Sequence, residues 1–198
     1  MRVTIFDYGA GNLHSLAKAL AGDSISIVVE RDPLAALRTD VLVLPGVGSF
    51  SQAAARLTPA RAAMRDAIRA GLPTLGVCLG MQLLFESSTE GPGCGLGVMA
   101  GRVSRLAAFR VPHIGWNTID DARDPLFRAA PLPAAYYANG YACRPADATV
   151  ITAWTTHDRD RFPAVVRTGN TVGVQFHPEK SSLAGVQFVR AFLAVSAP

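Results

Sequence analysis

Short, unbroken apolar runs recur along the first half of the chain. Val3-Thr4-Ile5-Phe6, Ile25 to Val29, Val41-Leu42-Val43-Leu44 and Thr74-Leu75-Gly76-Val77 show no polar alternation. A strand reads this way when both of its faces are covered, as helices cover a parallel sheet. Helical stretches lie between them, at Leu13 to Leu20, Pro59 to Ala70 and Leu79 to Glu86. In the middle one Ala60, Ala63, Met64, Ala67 and Ile68 share one face, with arginines opposite. Thr58 is placed to cap that helix, with Pro59 as its first residue and Gly71 as its stop. The alternation predicts an α/β fold built on a doubly wound, mainly parallel sheet.

After Gly91 the texture changes. Gly101 to Leu106, Thr149 to Thr155, Pro163 to Arg167 and Thr171 to Phe176 read as strands separated by turn residues. A last helix is expected near Leu183 to Val195. With no repeat, linker or low-complexity segment, residues 1–198 read as a single domain with a strand-rich second half.

Composition narrows the function classes. The chain has 198 residues, 49% of them hydrophobic, which excludes disorder. Its net charge is +4, and of 19 basic residues only Lys18 and Lys180 are lysine. The arginines are scattered without basic runs or interleaved aromatics, so nucleic-acid binding is not expected. Asp7 interrupts the apolar start before a signal-peptide core forms, and no apolar run approaches the roughly 18 residues of a membrane helix. Cys78, Cys94 and Cys143 have no metal-ligand spacing. A cytoplasmic, reduced protein is expected, with no membrane association.

Gly76-Val77-Cys78-Leu79-Gly80 stands where a strand passes into a helix, the pattern of a nucleophile elbow. The glycines let the chain turn sharply, and the helix N-terminus beneath the sulfur favours thiolate. The Leu79 amide is then free to face a developing oxyanion. Cys94 and Cys143 lack such a setting and read as structural. A thiolate needs a proton carrier, and His177-Pro178-Glu179 follows an apolar strand. If that segment stays extended, residues 177 and 179 project to one side with Cα atoms roughly 6.6 Å apart, which lets the carboxylate orient the imidazole. His14 and His157 read as surface residues.

Pro45-Gly46-Val47-Gly48 follows the third strand and can turn its amides toward a ligand. It lacks the Lys-Ser/Thr ending of a phosphate-binding loop. Gly9-Ala10-Gly11-Asn12-Leu13-His14 has the beginning of a dinucleotide fingerprint, with Glu30 near the expected acidic position. His14 stands where the third glycine must allow close helix packing, which argues against dinucleotide binding.

Together the elbow, His177-Pro178-Glu179 and Pro45-Gly46-Val47-Gly48 resemble the class I (triad) glutamine amidotransferases, whose fold is flavodoxin-like. Asp7 to Asn12, Gly76 to Glu86, Val111 to Asn117 and Gln175 to Ser182 are similar to the glutaminase subunits of imidazole glycerol phosphate synthase, from residue 7 to the end in the family's order. The resemblance implies hydrolysis of glutamine to glutamate and ammonia by Cys78, His177 and Glu179, with no metal or organic cofactor. It implies oxyanion donors at Val47 and Leu79, and a glutamine pocket from Gly46, Gly48, Gln82, Gly140 and Tyr141. The implied partner is a (β/α)8-barrel cyclase, which receives the ammonia and makes imidazole glycerol phosphate and AICAR ribonucleotide. Asn12, Trp116, Tyr136 and Lys180 match positions facing it. Asn139-Gly140-Tyr141 departs from the usual His-Ser-Tyr or His-Thr-Tyr, so glutamine affinity weakens if a hydroxyl normally contributes there. Two other readings remain open at this point: service to another synthase, such as that of pyridoxal phosphate, and an inactive interaction module.

Overall fold

In β-strand Val41–Leu44, alternate residues enter different cores. Val41 and Val43 join Val3, Ile5, Leu75 and Val77 on one side, while Leu42 and Leu44 join Phe6, Phe50, Leu57 and Met64 on the other. That two-sided burial is why the run is unbroken. The computed structural model describes residues 1–9 and 11–196. Ala10, within the Gly9 to His14 turn, and Ala197 and Pro198 lie outside the described residues.

In chain order the elements are β1 (Arg2–Phe6), α1 (Leu13–Leu20), β2 (Ser26–Glu30), β3 (Val41–Leu44), α2 (Phe50–Leu57), α3 (Arg61–Arg69), β4 (Thr74–Val77), α4 (Leu79–Leu83), β5 (Ser87–Ser88) and β6 (Gly101–Arg105). There follow β7 (His113–Thr118), α5 (Leu126–Ala129), β8 (Ala134–Asn139), β9 (Tyr141–Pro145), β10 (Ile151–His157), β11 (Asp160–Thr168), β12 (Thr171–Val174) and α6 (Ser182–Val195). The main sheet has seven strands in the order β10-β11-β12-β4-β3-β1-β2. Strands β2, β1, β3, β4 and β12 are parallel, and β11 and β10 extend the sheet antiparallel. Beside it lie a three-stranded sheet, β5-β6-β9, and the β7–β8 hairpin. The doubly wound, mainly parallel architecture is the expected one.

Several local expectations are corrected. Thr58 does not cap a helix. Its Oγ1 donates to the Ala54 carbonyl at 3.0 Å and ends α2, a helix the apolar pattern left unread. A 3-10 turn, Thr58–Ala60, follows, and α3 begins only at Arg61. Gly71 does stop α3, with φ of 111° and its N–H on the Ile68 carbonyl. Helix α4 ends at Leu83 and not Glu86, because its last carbonyls have other partners: the amides of Leu96, Gly97 and Val98 donate to Leu83, Phe85 and Leu84. The strand expected over Thr149 to Thr155 begins at Ile151, after a 3-10 turn at Ala148–Val150. The one expected over Pro163 to Arg167 starts at Asp160.

Candidate active site

Three neighbouring strands deliver the site from their carboxyl ends. Register pairs Leu44 of β3 with Gly76 of β4, and Val77 of β4 with Val174 of β12. The segments that leave these strands, beginning at Pro45, Cys78 and Gln175, therefore emerge side by side.

Cys78 has φ 47° and ψ −103°, a positive-φ conformation outside the allowed regions and unusual for a residue with a side chain. Its N–H is tied to the Val174 carbonyl at 2.7 Å, and its carbonyl accepts from Gln82 in the first turn of α4. The flanking glycines serve packing as well as the turn. A Cβ on Gly80 would stand 2.0 Å from the Leu44 carbonyl oxygen, and one on Gly76 would stand 2.7 Å from the Gly80 oxygen. No side chain fits where α4 crosses β3 and β4 this closely.

The His177–Glu179 pair forms by a different route from the one expected. The chain does not stay extended: Pro178–Lys180 makes a 3-10 turn. That turn brings the Glu179 carboxylate back to His177, with Nδ1 and Oε1 2.9 Å apart and both side chains buried. Burial works against a charged His177, but the Cys78 sulfur and the Glu179 carboxylate outweigh it and lift the imidazole to about 10. A protonated imidazole beside the sulfur is the form this environment favours. Gly46 lies against both groups, since a Cβ there would meet His177 Cε1 at 3.0 Å and Cys78 Cβ at 3.2 Å.

A cleft of about 280 Å³ opens beside the sulfur. Its lining brings together Gly46, Val47, Gly48, Cys78, Leu79, Gln82, Gly140, Tyr141, His177 and Lys180, all singled out in the sequence. Glu179 stands behind His177. The Leu79 amide is not free, as expected, but donates to the Gly46 carbonyl at 3.5 Å. Turning over the Gly46–Val47 peptide would exchange that carbonyl for the Val47 N–H. Gly140 is not forced by space, because a Cβ there would find only ordinary contacts with Val111 and Pro112.

Of the remaining positions, Lys180 places Nζ 5.8 Å above the Tyr136 ring, and Tyr136 meets Trp116 edge-on at 6.5 Å between centroids. These three form a continuous surface from the cleft to the exposed Trp116. Asn12 is not part of that chain of contacts. It stands exposed at the start of α1 with its Oδ1 held by Ser15, although neighbouring Gly11 approaches Val47. His157 is not a plain surface residue: its ring stacks on buried His113 at 4.1 Å, and its Nε2 lies 2.8 Å from the Arg110 carbonyl. Burial and that neighbouring ring lower His113 to about 4.

Three side chains in the site escaped the sequence reading. Glu90 lines the cleft, with Oε2 accepting from the Phe50 N–H at 3.1 Å. Buried Ser181 gives its hydroxyl hydrogen to the His177 carbonyl and accepts the Tyr136 N–H, while the His177 N–H donates to the Tyr136 carbonyl. Gln175 lies beside the sulfur. Only Ser181 had a local signal, as a small hydroxyl just after the His-Pro-Glu turn.

The comparisons with known proteins give the family. The family model described as glutamine amidotransferase class-I matches residues 4–194. The chain is 44% identical to a Symbiobacterium thermophilum protein named imidazole glycerol phosphate synthase subunit HisH, covering 95% of this chain and 91% of that protein. It is 40% identical to the Pyrococcus furiosus protein of the same name, covering 96% and 97%. Among solved structures, one described as a glutamine amidotransferase superposes with a TM-score of 0.75 at 19% identity, over 98% of both chains, a likeness of fold.

Proposed function

The chain belongs to the class-I glutamine amidotransferases, as a glutaminase subunit of imidazole glycerol phosphate synthase, and on that premise we propose that its cleft hydrolyses glutamine through Cys78, His177 and Glu179. The observation that carries the assignment is the meeting of a strained cysteine with a buried, carboxylate-held histidine at one cleft. The Cys78 thiolate attacks the side-chain carbonyl carbon of glutamine, forming the C–S bond and an oxyanion. Collapse breaks the C–N bond, and His177 gives its Nε2 proton to the departing nitrogen, which leaves as ammonia. Neutral His177 then takes a proton from water, and the hydroxide attacks the thioester. Breaking the C–S bond releases glutamate and restores thiolate and imidazolium. Glu179 keeps the Nδ1 proton in place throughout.

The oxyanion is assigned to the N–H groups of Leu79 and Val47, the second supplied when the Gly46–Val47 peptide turns over. Gly46 can make that turn because no Cβ has to sweep past His177. Gly48, Gln82, Gly140 and Tyr141 form the glutamine pocket, and Glu90 faces the substrate's α-ammonium group. The partner is a (β/α)8-barrel cyclase docked on the Trp116, Tyr136 and Lys180 surface, with Asn12 nearby. A cytoplasmic enzyme formed by one amidotransferase domain over residues 1–198 is the reading the family match over residues 4–194 supports. No helix of the described residues is long and apolar enough to cross a membrane.

Glutamate release is the measurement that tests this, first for the chain alone and then with the cyclase and its nucleotide ligand. Low activity alone, a large rise with the liganded cyclase, and loss on the order of 10⁴-fold or more in Cys78→Ala are expected. Full activity in Cys78→Ala overturns the catalytic assignment; full activity without the cyclase overturns the partner.

A further inference from the structure

Gln175 directly follows the last residue of β12, and its side chain is completely buried. Its backbone N–H is satisfied by the Ala164 carbonyl at 2.9 Å, so the strand's pairing makes no demand on the carboxamide. What the carboxamide touches is the sulfur: its Nε2 lies 3.5 Å from Cys78 Sγ.

The direction of that contact is set by a relay that starts at a group with no choice. The Tyr141 carbonyl can only accept, so Gln82 turns its NH₂ toward it, at 3.2 Å. The same NH₂ reaches Gln175 Oε1 at 3.4 Å. With its oxygen committed to Gln82, Gln175 has only its NH₂ left to face the sulfur. A buried N–H aimed at sulfur stabilises the thiolate in preference to the thiol, because hydrogen bonding to the charged form favours that form. Being enclosed, Gln175 is removed from any substrate in the cleft, whereas Gln82 lines its wall.

We infer that Gln175 is a positioning residue, which holds the Cys78 thiolate by donating its side-chain N–H and links that sulfur, through Gln82, to the wall of the glutamine cleft. The inference rests on the reading of Cys78 as nucleophile. It adds a second support for the thiolate: His177 supplies charge, and Gln175 supplies a fixed neutral dipole. It also gives the Gln82 carboxamide two roles, one toward the cleft and one toward the nucleophile.

The test is the rate at which iodoacetamide alkylates Cys78 across pH. It is read by mass spectrometry on the Cys78 peptide, so that exposed Cys94 does not contribute. Gln175→Met keeps length and loses the donor. Gln175→Glu keeps the shape and sets an acceptor against the sulfur, and it carries the test if the methionine variant fails to fold. Alkylation at pH 7 is expected to fall about tenfold in Gln175→Met, corresponding to one pK unit, and further in Gln175→Glu. The whole profile moves to higher pH. In the complex with the cyclase, kcat for glutamine hydrolysis falls alongside, while KM changes less than threefold. A profile that stays at the wild-type pH in a folded variant overturns the role of Gln175, whatever turnover does. Because alkylation is scored without glutamine, that outcome is separate from a failure of the catalytic reading, which Cys78→Ala decides.

Discussion

Two buried carboxylates, at opposite ends of the sheet, each hold a cation, and they do so differently. Asp124, near the start of α5, accepts from Arg167 Nε and Nη2 at 2.7 and 2.8 Å, from the Leu126 N–H at 3.0 Å and from Thr152 Oγ1 at 3.2 Å. Burial raises its pKa, but the Arg167 hydrogen bonds, with those of Leu126 and Thr152, outweigh that and hold it below the usual carboxylate range. Every oxygen is spoken for, and the cation never gives up its proton. Glu179 has one titratable partner and a second oxygen, Oε2, that is buried without one. Asp124 is finished as a structural joint. Glu179 keeps capacity in reserve beside a group that, in the proposed mechanism, gains and loses a proton, and such incompleteness at a cleft fits chemistry.

Exchanging each carboxylate for its amide separates the two. Glu179→Gln should lower kcat for glutamine hydrolysis by roughly 10²–10⁴-fold, because the imidazole loses the anion that orients it. It should shift the urea midpoint less than Asp124→Asn, because His177 can shed its proton and Arg167 cannot. Asp124→Asn should do the reverse. It leaves Arg167 facing a neutral group and costs about 3 kcal/mol in urea unfolding, with turnover per folded molecule unchanged. A stability loss confined to Glu179→Gln would erase the distinction.

The paired rings of His113 and His157 supply a subtler probe, since both lie away from the cleft lining. His113 is depressed in the folded chain to about 4, mainly by burial and then by the His157 ring, against 6.5 as its ordinary value. The unfolded chain binds that proton first, so stability falls with pH through the window from 6.5 down to about 4. The loss attributable to this group between pH 7 and pH 5 is about 2 kcal/mol. His113→Phe keeps the ring and removes the titration, so its stability should fall less over the same range. Equal slopes would clear His113 of the effect. Smallest is Gly140→Ser, which restores a hydroxyl where space allows one. A several-fold fall in KM for glutamine at constant kcat is expected, of the size of one modest hydrogen bond of about 1 kcal/mol.

The parts of this molecule that could be read in its sequence are those whose reason is local. The central strands declared themselves because burial on both faces removes polar residues from them, and the elbow because close packing at Gly76 and Gly80 requires glycine in a fixed spacing from Cys78. Strand β7 did not, since its half-exposed run carries His113, Gly115, Trp116 and Asn117, types shared with turns. Helix α2 was missed because two alanines, Ala53 and Ala54, fill the middle of its buried stripe, a weak apolar signal. Glu90 and Gln175 acquire their roles from partners 40 and 97 residues away, which no local pattern encodes. Even the His177–Glu179 spacing was read correctly for a geometry the chain does not adopt.

The Ser181 hydroxyl gives the β7–β8 hairpin and the Pro178–Lys180 turn a common anchor. Tyr136 and His177 are joined there by three hydrogen bonds, two of them through one oxygen. A ligand gripping the exposed Trp116 edge therefore pulls on the imidazole's own backbone.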